Sequence, residues 1–165
     1  MKTEDDMIGN DEQLMAEAIR ICQRGIDARQ SPFGAVIADR TGKIVAATHN
    51  TVRLTCDPTA HAEINAIRLA ARNLGTIDLS GHRILSTCEP CPMCASAIHW
   101  SRLDEVVYGA TIQDAADAGF HELELPCAEL YQKAGSHVRC RGGVLGDSCR
   151  DLFRTWKSGP NPSPY

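Results

Sequence analysis

Two short segments hold residue types that can do chemistry. One is His61-Ala62-Glu63, and the other is Pro90-Cys91-Pro92-Met93-Cys94. Cys91 and Cys94 are three residues apart, so on a helix they share one face. Pro90 marks the start of such a helix. In a first turn the unpaired N–H groups and the helix dipole favour anions, which lowers thiol pKa and prepares both sulfurs for a metal. Pro58 opens a second helix, and a helix opening beside the cysteines can supply His61. Structural zinc usually has four protein ligands, whereas three leave a position for water. His61, Cys91 and Cys94 make three, with one zinc per chain expected. Two thiolates and a neutral imidazole cancel the charge of zinc, and the metal still acidifies its water near neutral pH. Glu63 lies two residues from His61, near enough to reach that water and too near to be an easy fourth ligand. General acid–base work is its natural role.

Two other readings compete. Cys88, Cys91 and Cys94 also form an iron–sulfur-like run, but no fourth cysteine follows between Ala95 and Ile98. That reading also leaves His61 and Glu63 unused. A purely structural zinc needs a fourth ligand, with His82 or His99 as candidates, and neither has a spacing that forces it. Cys88 reads as a small apolar residue at a strand end. Cys22, Cys56, Cys127, Cys140 and Cys149 share no spacing, and buried packing is the default for each.

The elements that must position these groups follow from periodicity. Leu14, Met15, Ala18, Ile19, Cys22 and Ile26 recur at helical spacing from Asp11 onward, behind a loose N-terminal arm over residues 1–10. Phe33–Asp39 and Lys43–Thr48 read as a hairpin about Thr41-Gly42. A helix from Pro58 to Gly75, a strand over Arg83–Cys88 and a helix from Pro90 come next. Asp104–Ala110 is a strand, Asp114–Ala118 a short helix and Glu129–Ala134 a helix. Ser136–Cys140 is a fifth strand and Asp147–Lys157 the last helix. This alternation predicts an α/β fold, a three-layer α-β-α domain about a five-stranded mixed sheet. The 165 residues form a single domain, with a proline-rich tail over residues 158–165.

Composition narrows the classes. Lys and Arg number 17 against 21 Asp and Glu, a net charge of −4, which disfavours nucleic-acid binding through a broad basic surface. No apolar run approaches the roughly 20 residues of a membrane span, and the polar N-terminus has no signal-peptide core. The chain reads as cytoplasmic, where clustered cysteines point to metal or catalysis rather than disulfides.

His-Ala-Glu followed by Pro-Cys-x-x-Cys resembles the zinc-dependent cytidine deaminase superfamily. The longer strings Asp57-Pro-Thr-Ala-His-Ala-Glu63 and Cys88-Glu-Pro-Cys-Pro-Met-Cys94 are similar to its branch of guanine deaminases and tRNA adenosine deaminases. The likeness runs from about Pro32 to about Phe120. It implies a deaminase fold, zinc on His61, Cys91 and Cys94, and a proton shuttle at Glu63. It further implies that Asn50 hydrogen-bonds the base, that Phe33 and Trp100 line the base pocket, and that the backbone of Ala62 contacts the ring edge.

The stretch Asp114-Ala-Ala-Asp-Ala-Gly-Phe120 resembles the guanine deaminase branch, which implies a free nucleobase, guanine-like, as substrate. Where that branch places an aspartate two residues after Gly-Phe, this chain has Glu122. One added methylene can shift discrimination by about 1–3 kcal/mol, so another aminopurine, cytosine or a triazine also fits. A tRNA adenosine deaminase is the alternative, and a zinc-bound module without catalysis is a third class. The same resemblance implies a homodimer whose C-terminal segments are exchanged and end in a tyrosine. Tyr165 would then close the site as a lid.

Overall fold

The computed structural model describes residues 4–165, with side chains described from residue 11 onward. Helix α1 spans Glu4–Asp27, so the segment expected as a loose arm is helical from Glu4 on, while residues 1–3 lie outside the described residues. β1 (Gly34–Asp39) and β2 (Ile44–His49) form the expected hairpin. After them come α2 (Val52–Thr55), α3 (Ala62–Leu74), β3 (His82–Cys88), α4 (Pro92–Trp100) and β4 (Glu105–Ala110). The chain ends with α5 (Ile112–Asp117), α6 (Cys127–Ala134), β5 (Arg139–Arg141) and α7 (Gly146–Lys157).

The five strands make one mixed sheet in the order β2-β1-β3-β4-β5. β1 runs antiparallel to β2 and β3, and β3, β4 and β5 run parallel. Val36, Ile37, Ile84, Leu85, Val106 and Val107 are fully buried. Consecutive residues on a strand face opposite sides, so both faces of the three central strands are covered. α1 and α7 pack together on one face, while α3, α4 and α6 succeed one another on the other, which gives the three layers. The approach is tight. A Cβ on Gly34 would lie 2.5 Å from the carbonyl of Ala18 in α1, and one on Gly109 would lie 2.2 Å from the sulfur of Cys149 in α7. Asp11, 1% exposed, fixes α1 through Arg83 at 2.7 Å and Arg141 at 2.6 Å.

Three boundaries differ from the periodicity. The segment from His49 to Asp57, expected as irregular, holds the one-turn helix α2. Pro58 and Pro90 do not open helices; α3 begins at Ala62 and α4 at Pro92. In consequence His61 and Cys91 are not on helices but cap them. Among the described residues no helix is long and apolar enough to cross a membrane.

Candidate active site

His61 is the N-cap of α3 and Cys91 the N-cap of α4, both with extended backbone and neither using its side chain to cap. Their side chains are therefore available to each other. Cys94 stands at the third position of α4 and is fully buried. The packing of α3 on α4 brings the three together. Nδ1 of His61 lies 3.7 Å from the sulfur of Cys91 and 3.6 Å from that of Cys94. A tetrahedral zinc with Zn–S of about 2.3 Å and Zn–N of about 2.0–2.1 Å has S···N edges of roughly 3.6 Å. The donor set fits zinc in both chemistry and spacing. Among the described residues this is the group that could hold a metal. His82 turns Nδ1 to the carbonyls of Leu79 and Ser80, and His99 turns Nδ1 to Ser136, so neither completes a fourth ligand.

Contact with the Cys94 thiol holds the Cys91 thiol down to about 4, against the opposing effect of burial, and His61 adds to the lowering. The same contact, with burial, pushes Cys94 well up. Zinc binding takes both as thiolates and so releases a proton.

Glu63 follows in the first turn of α3 and is buried. One carboxylate oxygen accepts the Ser86 hydroxyl at 3.1 Å, and the other lies 3.6 Å from the Cys94 sulfur. Burial, opposed by the charge of His61, raises its pKa above the ordinary carboxylate value. The carboxyl is thus fixed by one oxygen and aimed at the metal ligands by the other, the geometry a proton carrier needs.

Around this core stand the other expected residues. Asn50 is fully buried; its Oδ1 accepts the N–H of Val52 at 3.1 Å, and its Nδ2 donates to the hydroxyl of Tyr165 at 2.5 Å. Ala62 gives its carbonyl to the Thr48 hydroxyl at 2.8 Å. As the first residue of α3 it has an N–H with no intrahelical partner. Tyr165 lies with its ring centroid 5.7 Å from that of His61 and 5.6 Å from that of Phe120. The tail is held by the Arg53 guanidinium on the Ser163 carbonyl and by the His121 N–H on the Tyr165 carbonyl at 3.1 Å. It closes over the site of its own chain. The Glu122 carboxyl is raised to about 7, first by burial and then by the negative charge at Cys91, opposed by His61.

Phe33 packs edge-on to Phe120 at 4.8 Å and to Phe153 at 5.7 Å, so it backs the ring that faces Tyr165. Trp100 is 83% exposed in the single chain. It ends α4, whose first turn holds the cysteines. At 1.5 Å per residue, nine residues of helix carry it about 13 Å away.

Residues 8–110 match the model of the cytidine and deoxycytidylate deaminase zinc-binding region. The chain belongs to this family. The deaminase is 44% identical to the guanine deaminase of Bacillus subtilis over 157 residues, 94% of this chain and 99% of that protein. It is 32% identical to the tRNA-specific adenosine deaminase of Haemophilus influenzae over 148 residues, 88% of this chain and 82% of that one. The structure of the guanine deaminase from Nitrosomonas europaea superposes with a TM-score of 0.84 at 29% identity, covering 90% of this chain and 85% of that one. The protein is accordingly a zinc-dependent hydrolytic deaminase with a cytidine deaminase-like fold.

Sequence reasoning missed three residues that hold this deaminase's site together. Ser86 fixes Glu63 from β3. Glu89, directly before Pro90, is buried and accepts the N–H groups of Ile112 and Cys127 at 3.1 and 3.0 Å, tying α5 and α6 to the metal loop. Arg53 holds the tail. For Ser86 and Glu89 a signal existed, since a polar side chain in or beside an apolar strand must find a partner when buried.

Proposed function

We propose that this deaminase hydrolyses the exocyclic amino group of free guanine, or of a closely related aminopurine, and releases ammonia. The observation that carries the reading is the seating of Tyr165 over His61, with its hydroxyl on Asn50. A tail in that position leaves room for a small base and obstructs a folded RNA loop. The likeness to a guanine deaminase over 99% of that protein's length supports the same substrate class.

His61, Cys91 and Cys94 would hold zinc, which would supply a Lewis acid able to acidify a water molecule. Glu63, with one oxygen held by Ser86, is the group that delivers a proton to the ring nitrogen and to the departing amine. The Asn50 amide and the Ala62 N–H orient the base, and Glu122 accepts a hydrogen bond from its amino group. Phe120 and Tyr165 exclude bulk water, with Phe33 supporting Phe120. The enzyme works in the cytoplasm as a homodimer. The exposed Trp100 and Ile77, 83% and 88% open in the single chain, support a second copy covering that side.

The test is ammonia release from guanine, 2,6-diaminopurine, adenine, cytosine and a triaminotriazine, beside inosine formation in a tRNA anticodon stem-loop. Guanine should lead the bases, and the stem-loop should be inert. Deamination of the stem-loop with no free base turned over would replace this reading with tRNA editing.

A further inference from the structure

Outside the metal centre, two cysteines separated by 13 residues meet. The sulfurs of Cys127 and Cys140 lie 3.3 Å apart, and both thiols are free. Cys127 begins α6 and is fully buried, with its N–H held by Glu89 at 3.0 Å. Cys140 sits in β5, a three-residue edge strand paired only to β4, and is partly exposed. One sulfur is therefore fixed and sheltered, and its neighbour belongs to a partly exposed residue on a short element.

We propose that Cys127 and Cys140 form an oxidant-reactive dithiol, a modification site whose co-reactant is a hydroperoxide. Cys140 is the attacking sulfur because a small oxidant can reach it. Its thiolate takes the terminal oxygen of hydrogen peroxide, the O–O bond breaks, and hydroxide leaves to be protonated to water. The product is a sulfenic acid on Cys140. Cys127 then attacks that sulfur, the S–S bond forms, and the sulfenic oxygen departs as a second water. Two thiols lose two electrons and two protons; the peroxide gains both and becomes two waters. A dithiol reductant reverses the step by exchange.

Geometry favours this pair over the other cysteines. A disulfide needs sulfurs about 2.05 Å apart, so the pair must close by roughly 1.2 Å, a movement within reach of a short edge strand. Donation from Cys127 also lowers the Cys140 pKa, which raises its thiolate fraction. With zinc bound, Cys91 and Cys94 are committed to the metal. Cys56 is exposed but stands at the end of α2, and its sulfur contacts the Arg53 carbonyl. The position also fits the intracellular setting, where disulfides are usually transient and redox-sensing.

The experiment uses the zinc-loaded, full-length Cys56→Ser protein treated with stoichiometric hydrogen peroxide. Remaining thiols are alkylated after denaturation, and the digest is read by mass spectrometry alongside zinc content. The expected result is loss of two alkylable thiols, one cross-linked peptide pair joining Cys127 to Cys140, full zinc retention and complete reversal by dithiothreitol. Cys127→Ser should instead accumulate a sulfenic acid on Cys140 that dimedone traps, and Cys140→Ser should form no cross-link. A disulfide joining any other pair, or no thiol lost before zinc is released, would overturn the proposal. So would a Cys127→Ser protein that folds, holds zinc and gives no dimedone adduct at Cys140.

Discussion

The hydroxyl oxygen of Tyr165 accepts a hydrogen bond from Nδ2 of Asn50, 115 residues earlier, at 2.5 Å. An amide nitrogen carries two hydrogens, so one can stay on the phenol while the other meets a base. The same side chain then fixes lid and substrate side by side. Burial keeps the phenol well above its ordinary pKa, so it remains neutral across the working range.

Tyr165→Phe removes that partner and leaves an Asn50 hydrogen unpaired. A net hydrogen bond is worth about 0.5–1.5 kcal/mol, so kcat/KM for the best base should fall about 2- to 13-fold with zinc content unchanged. Deleting residues 160–165 should lower it further, because the ring over His61 goes too. Steady-state kinetics on the three proteins gives the order, and equal activity in the truncated enzyme would mean that the tail is not a lid.

Cys91→Ser should lose zinc and activity together. Serine offers a poor ligand in place of a thiol that the site already holds near 4. Metal analysis should give about one zinc per chain in the wild type and a small fraction of that in the variant. Full zinc with full activity in Cys91→Ser would remove this residue from the ligand set.

Glu122 predicts two separable effects. Glu122→Asp should reorder guanine, 2,6-diaminopurine and cytosine by about 10- to 200-fold in relative kcat/KM, the range expected for one methylene in a pocket. Its raised pKa gives the pH sign. The folded protein holds a proton on Glu122 up to about 7, while the unfolded chain loses it near 4.5. Between those values the native state binds more protons, so its stability falls as pH rises. Glu122→Gln escapes this loss. The thermal midpoint of the variant relative to the wild type should therefore climb from pH 5 to pH 8. A constant difference would show that the carboxyl is not buried as described.

The metal centre was legible in the sequence because its determinants are local. Cys91 and Cys94 sit three apart at a helix start, and His61 stands at another. The alternation of elements likewise gave the layers and the five strands. What periodicity could not supply was long-range contact. Ser86 meets Glu63 across 23 residues, and Cys127 meets Cys140 with no motif to announce it. The position of Trp100 is of the same kind, since a match of position carries no distance, and the length of α4 decides where its end lies. Proline favours a helix start, yet Pro58 falls in the loop before α3 and Pro90 lies ahead of the Cys91 cap. His61 and Cys91 therefore occupy caps, where backbone is extended and side chains are unconstrained by the helix, while Cys94 follows in the first turn of α4.

The central claim is that the zinc cluster and Glu63 together deaminate a free purine base. The most direct measurement is guanine turnover by zinc-loaded wild type and Glu63→Gln, with zinc content determined on the same samples. The wild type should convert guanine to xanthine and ammonia. The variant should keep its zinc and its fold and lose on the order of 10²–10⁴-fold in kcat, the usual contribution of a general acid–base group. A Glu63→Gln enzyme that deaminates guanine at the wild-type rate, or a wild type that leaves guanine untouched while loaded with zinc, would contradict the account.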